Sequence, residues 1–195
     1  MKKLLHSLAI LTVPALLCSC HQKKIVVYAD NDIQVDDSKK NISVTDGTTF
    51  TVKELDYGGG AVDINVQWPK GKLVLTTAPD DGLYIANLTA DTIVGSYQHV
   101  GADNGQVKLT TDQLKYTVDS LYQLTGGLNI APQNRNYFIP PGKVVRITEN
   151  TKAKIFPPYT KIPGGYDASA TPEVYKFYTN REVREIIERL TKLIN

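Results

Sequence analysis

Histidine and cysteine are the residues most often asked to do chemistry, and this chain has few of either. His6 lies in an apolar N-terminal run and His21 sits beside Cys20, which leaves His99 as the one imidazole in the body of the chain. A zinc site built from several histidines is therefore excluded. Both cysteines, Cys18 and Cys20, lie near the start, so thiol catalysis, cysteine-based zinc sites and iron–sulfur clusters are excluded from His21 onward. HExxH, GxSxG, SxxK, P-loop and GxGxxG patterns are all absent. Ser96 precedes His99 by three residues, but in a strand those two side chains point to opposite faces. His99 reads as a surface residue near a turn. Carboxylate pairs are brought together by the fold and not by spacing, so a carboxylate-based hydrolase stays open as an alternative.

Two further groups of residues have types suited to binding. Asp30, Asp32, Gln34 and Asp36 alternate in a manner resembling the start of a calcium loop, with the oxygen donors a hard cation needs. Val35 occupies the place where such a loop needs glycine, and Asn41 stands where it needs glutamate. A solvated loop or a charged edge strand accounts for the same acids. No metal or other cofactor is expected. The chain also has Trp68 and eleven tyrosines. Trp68 continues the apolar face of its strand and reads as core. Tyr57, Tyr137, Tyr159 and Tyr166 lie next to glycine or proline turns, where exposure is easy. These four are the candidate ligand-binding residues, with a glycan as the possible ligand.

The N-terminus carries a different kind of signal. Lys2 and Lys3 precede an apolar run from Leu4 to Leu17. That run is shorter than the roughly 20 residues a membrane-spanning helix requires, and it fits the hydrophobic region of an export signal. The run ends in Leu17-Cys18-Ser19-Cys20, which resembles a lipobox, the processing motif of bacterial lipoproteins. Leu17 and Ser19 occupy the aliphatic and small positions before Cys20, whereas Leu17 is too large to stand directly before a modified Cys18. The resemblance covers residues 1–20. It implies a diacylglyceryl group on the Cys20 thiol, cleavage between Ser19 and Cys20, and attachment to a membrane through lipid. His21, where an aspartate would retain an enterobacterial-type lipoprotein in the inner membrane, implies the outer membrane. The first apolar run begins at Ile25, five residues past the cysteine, a span of about 17 Å fully extended. The body of the protein is thus expected close to the lipid surface.

The chain as a whole is 42% hydrophobic and has no cysteine beyond Cys20, which describes an exported domain that must fold on its core alone. From Cys20 onward the chain is neutral, which disfavours nucleic acid as a partner, as does export. Residues 20–134 hold 9 Lys or Arg against 14 Asp or Glu, and residues 135–195 hold 11 against 6. Neither half has a run of like charge long enough to be a tail, so the asymmetry reads as two parts docked on each other.

Alternation at Val62, Ile64, Val66 and Trp68 marks a strand with one wet face. Comparable runs fall at 25–28, 41–45, 48–55, 72–77, 83–86, 92–98 and 106–110. They are separated by turn signals at 69–71 and 80–82, and by hairpin signals at Gly58-Gly59-Gly60 and Asn104-Gly105. A capping box at Thr110 and Gln113 opens a helix over about 111–125, closed by Gly126-Gly127. Strands return at 143–148, 152–156 and 173–178. A second capping box, Thr179 and Glu182, opens an amphipathic helix over about 180–194. Stretches 128–142 and 157–172, rich in Pro, Gly and Asn, read as long loops.

The expectation is a β-rich α+β protein, an antiparallel β-sandwich or open barrel with two helices. Residues 1–19 form the signal and 20–24 the tether. Residues 25–109 form a sandwich-like part, and 110–195 an α+β part docked on it or a second small domain. The function expected is non-catalytic binding or assembly at the envelope, with an envelope protein as partner.

Overall fold

The apolar run Ile25–Ala29 lies at the centre of the molecule. In the computed structural model, which describes residues 22–99, 110–130, 132–163, 166 and 173–194, all five of these residues are buried. They belong to strand β1 (Gln22–Asp30), which pairs antiparallel with β4 (Phe50–Gly58) and parallel with β7 (Gly82–Leu88). β7 pairs in turn with β10 (Lys143–Thr148), giving a central sheet of order β10-β7-β1-β4. Both β1 and β7 are covered on two faces, so they read as continuous apolar runs rather than alternating ones.

A front sheet has the order β2-β3-β5-β6, from β2 (Ile33–Asp36), β3 (Asn41–Val44), β5 (Asp63–Trp68) and β6 (Gly71–Thr76). A rear sheet has the order β11-β12-β8-β9, from β8 (Ile93–Tyr97), β9 (Asn136–Ile139), β11 (Lys154–Phe156) and β12 (Val174–Thr179). Helices α1 (Thr111–Thr125) and α2 (Asn180–Ile194) and two single 3-10 turns, Asp37–Lys39 and Pro132–Asn134, complete the described elements.

Strand parity sorts the buried residues into three cores. Ile25, Val27 and Ala29 pack with Ile42, Ile64, Val66 and Leu75 of the front sheet. Val26, Tyr28 and Ile85 pack with Ile93, Ile139, Tyr175 and Phe177 of the rear sheet. On the far side of the rear sheet, Val94 packs with Val118 and Leu124 of α1 and Val183 and Ile187 of α2. The layers therefore run front sheet, central sheet, rear sheet, helices.

The β-rich α+β class with two helices is what the sequence predicts, and both helices keep their expected bounds. The pairing differs. β1 with β7, β3 with β5, and β11 with β12 run parallel, so the sheets are mixed, and none closes into a barrel among the described residues. Gly58-Gly59-Gly60 does not close a hairpin, because β4 lies in the central sheet and β5 in the front sheet. The segment is a crossover between layers. The short strand β9 goes unread in the sequence, whereas β2 is the charged edge strand offered as an alternative for the Asp30–Asp36 stretch. The strand expected at 106–110 and the Asn104-Gly105 turn lie outside the described residues, apart from Thr110, which caps α1. Strands from 25–109 and from 110–195 share sheets: β10 lies beside β7, while β9 and β12 flank β8.

The Thr110 box is complete. Thr110 Oγ1 accepts from the Gln113 N–H at 3.3 Å, and Gln113 Oε1 accepts from the Thr110 N–H at 2.8 Å. At α2 only one arm forms. The Glu182 N–H donates to Thr179 Oγ1 at 3.1 Å, but the Glu182 carboxylate accepts from the Tyr159 N–H instead of its own cap. Among the described residues no helix is long and apolar enough to cross a membrane.

Candidate functional site

The chain leaves the rear sheet at the end of β9 and enters the central sheet at the start of β10 through Pro140-Pro141-Gly142. Buried Asn87 fixes this corner. Its Nδ2 donates to the carbonyls of Ile139 and Asp91, both at 2.8 Å, and its Oδ1 accepts from the Thr89 N–H at 2.9 Å and the Thr89 hydroxyl at 2.8 Å. Gly142, at φ +76°, donates its N–H to Asn87 O at 2.7 Å. A positive φ of that size suits glycine and little else.

Away from the corner the two strands line a cleft of about 670 Å³, with Arg135, Asn136, Tyr137, Arg146, Thr148, Glu149, Glu173 and Tyr175 among its walls. Tyr137 bridges the sheets: its hydroxyl donates to Ile147 O at 2.5 Å, and its ring meets those of Tyr175 and Phe177 at 5.8 and 5.9 Å. Burial pushes the Tyr137 hydroxyl well above its ordinary pKa, and neighbouring Tyr175 adds to the effect.

Arg135 organises the cleft. It adopts a left-handed backbone, φ +49°, which is uncommon for a residue with a side chain. Its guanidinium carbon lies 3.9 Å above the Tyr97 ring centre and 5.1 Å from that of Tyr175. Nη2 donates to Glu173 Oε1 at 2.7 Å and to the Tyr175 hydroxyl oxygen. The second carboxylate oxygen of Glu173 accepts from Thr148 Oγ1 at 2.7 Å. Burial works against the Arg135 charge. Tyr175 and Glu173 outweigh it, and the guanidinium holds its proton above its ordinary range. The result is a chain of contacts, Tyr97–Arg135–Glu173–Thr148, running from the rear sheet to the central sheet. Arg135 Nη2, both Glu173 carboxylate oxygens and the Thr148 hydroxyl are engaged with one another, and two arginines face two glutamates in the walls, so the cleft has no net charge.

The four tyrosines singled out by the sequence go to separate places, and no described ring contact joins any two of them. Only Tyr137 lies in the cleft. Tyr57 packs against the core between central and front sheets, with its hydroxyl buried and without a hydrogen-bond partner among the described residues. Tyr159 is half exposed and holds the 157–160 turn to α2. Its hydroxyl accepts from Arg181 Nη2 at 2.9 Å and lies 3.2 Å from Thr179 Oγ1, and its ring meets Phe50 at 5.5 Å. Tyr166 stands edge-on to Phe156 at 5.3 Å.

His99 is exposed and edge-on to Tyr97 at 4.9 Å. Trp68 is half-buried at the rim of the front core, under the Lys70 ammonium at 5.2 Å. Two acids of the calcium-like stretch are engaged by other donors: Asp30 accepts from the Ala90 N–H at 2.5 Å and Asp36 from the Ser38 hydroxyl at 2.6 Å. Asp32 lies between them, just before β2. Among the described residues no group of three or more His, Cys, Asp or Glu is placed to hold a metal. Ser19 and Cys20 lie outside the described residues.

Sequence reasoning missed Tyr97, Arg135, Thr148, Glu173 and Tyr175. Arg135 and Glu173 are 38 residues apart, and the pattern of β12, Val174–Thr179, announces a strand and not a site. A second depression, about 360 Å³ on the outer face of the front sheet, is lined by Asn41, Ser43, Asn65, Gln67 and Lys72. It has no aromatic wall and no ion pair, so the larger cleft is the better candidate. No protein-family model matches the chain, and no curated protein or solved structure is significantly similar to it.

Proposed function

We propose that this chain is a lipid-anchored protein of the bacterial cell envelope, tethered through Cys20, whose role is to bind a partner in the cleft between β9 and β10 rather than to catalyse a reaction. The lipobox resemblance supports the anchor, and His21 after the cysteine favours the outer membrane. One observation carries the binding role: the Arg135–Glu173–Thr148 wall, backed by Tyr97 under the guanidinium, is assembled in advance with its charges matched. A site pre-organised in this way loses little freedom on binding. Glu173, the acid at its centre, is committed to Arg135 and Thr148 and is not free to act as a base.

A glycan is the ligand class favoured by a further observation. Tyr137, Asn136 and Arg135 put an aromatic edge, an amide and a guanidinium on one wall, and the cleft offers no net attraction to an anion. A photo-crosslinking residue in place of Asn136, used in intact cells, tests the binding role and identifies the occupant. The expected result is a discrete adduct that disappears in Arg135→Ala. A crosslinking pattern unchanged by Arg135→Ala refutes the cleft as a binding site. An adduct of protein rather than sugar replaces the glycan with an assembly partner.

A further inference from the structure

β1 begins at Gln22, two residues past Cys20. Two residues of chain, however they run, span at most about 7 Å. The polar headgroup layer on one side of a bilayer is of similar thickness, about 5–8 Å. An acyl chain on Cys20 therefore leaves the end of the sandwich at which β1 starts no room to stand away from the lipid.

That end is well defined. Gln22 pairs with Gly58 and Lys23 with Gly82, so the 58–61 crossover and the 77–81 turn lie beside the start of β1. Thr148, at the end of β10, pairs with Leu83 of β7, which pairs with Lys24. Gly58, Gly59, Gly60, Ala61, Ala78 and Pro79 are exposed, small and uncharged, so this part of the surface can approach headgroups closely, while Asp80, Asp81 and Glu149 at the same end keep their charges in the hydrated headgroup layer.

The start of β1 is also held firmly. Lys23 is 1% exposed, and its ammonium donates to Gly60 O and Ala78 O, both at 2.5 Å, and to Thr77 Oγ1 at 2.9 Å. Peeling the strand back to lengthen the tether would break all three bonds and unpair β1 from two neighbours.

We propose that the face made by the 58–61 crossover, the 77–81 turn and the residues after Thr148 lies against the lipid surface, with the strands of the central sheet standing along the membrane normal. This rests on the lipid anchor at Cys20. β1 is nine residues long, about 30 Å, so Asp46, Ala90 and Gly142 at the opposite end stand that much farther out. The proposal also places the cleft. Thr148 and Glu173 belong to the lipid-facing end, so the cleft opens beside the bilayer, and its occupant is a molecule held at that surface.

The test uses the lipidated chain in phosphatidylcholine vesicles containing a lipid with a nitroxide on its headgroup. The processed chain has no cysteine besides the lipidated one, so single fluorophores can be placed at Gly59→Cys or Pro79→Cys, and at Asp46→Cys or Ala90→Cys. Quenching severalfold stronger at the first pair than at the second is expected. A flexible insert of about 20 residues between His21 and Gln22 is expected to abolish that difference. Equal or reversed quenching in a protein that floats with the vesicles overturns the orientation and leaves the anchor standing. A chain that does not float with vesicles removes the anchor, and the orientation falls with it.

Discussion

Lys176 lies in β12, 3% exposed, with no carboxylate bonded to it among the described residues. Its ammonium donates to Pro157 O at 2.8 Å and Phe177 O at 2.7 Å and sits 4.2 Å from the Tyr178 ring centre. The nearest acid acting on it, Glu182, is itself occupied by the Tyr159 N–H. Burial dominates, and the Lys176 pKa falls from 10.5 to about 8. Between those two values the unfolded chain keeps a proton that the folded chain has lost. The unfolded state therefore binds more protons, and stability rises with pH across the window. At about 1.4 kcal/mol per pKa unit, a charged Lys176 costs about 3 kcal/mol below pH 8, of which about 2 kcal/mol is recovered by pH 10.

Tyrosine ionisation acts on the same curve, so the clean measurement is a difference. Unfolding free energies from urea titrations of wild type and Lys176→Met, taken at pH 7, 8, 9 and 10, share every titration except this one. The difference, wild type minus variant, should be flat up to about pH 7 and then climb by about 2 kcal/mol towards pH 10. At pH 7 the variant should lie close to wild type, because the two lost hydrogen bonds offset the relieved desolvation. Parallel curves through pH 10 would refute the reasoning, since the ammonium would then be no harder to keep charged in the fold than in water.

Three further outcomes follow from the packing. Gly95→Ala places a methyl group 2.3 Å from Phe177 Cδ1 and 2.7 Å from Lys176 O, so thermal unfolding should show a loss of about 1–3 kcal/mol or more. Asn87→Ala removes the Nδ2 donor to the Ile139 carbonyl at the β9–β10 corner and the Oδ1 acceptor of the Thr89 N–H. A loss of about 2–3 kcal/mol is expected, with faster amide exchange at Gly142 as the local readout. Thr110→Ala should cost about 1 kcal/mol by urea unfolding. Adding Gln113→Ala should cost less than the two single changes combined, because the two arms form one box.

Local signals were legible in the sequence and long-range ones were not. Thr110 with Gln113, and Thr179 with Glu182, mark helix starts because a capping side chain reaches only three residues. The apolar runs at 25–28 and 83–86 mark strands; that these are central, with both faces covered, comes from the layers around them. Which strands would pair, and in which direction, depends on layers meeting across the whole chain, and an apolar run does not carry that. β9 was lost because four residues between a left-handed Arg135 and Pro140 look like the loop around them. Position beside glycine or proline was a poor guide to the tyrosines. Tyr57 packs on the core and Tyr166 against Phe156, and of the four only Tyr159 is substantially exposed. The cleft needs residues separated by tens of positions, from Tyr97 to Tyr175, with nothing local to mark them.

A folded body without cysteine must hold its crossovers by other means, and here buried nitrogen atoms do so. Lys23 ties β1 to turns 37 and 55 residues away, Asn87 ties β7 to a carbonyl 52 residues away, and Lys176 ties β12 to Pro157. In each case the donor meets a backbone carbonyl at or just beyond the end of a strand: Gly60 and Ala78, Ile139, and Pro157. An ammonium with three donors satisfies several such carbonyls at once, which a hydrophobic replacement cannot do. The cost is desolvation, and burial accordingly lowers the pKa of both lysines. What is gained is uniqueness of connection: slipping any of these strands by one residue would strand a buried charge and expose an apolar face together. The lysines therefore do for layer order what the three apolar cores, being non-directional, cannot do alone.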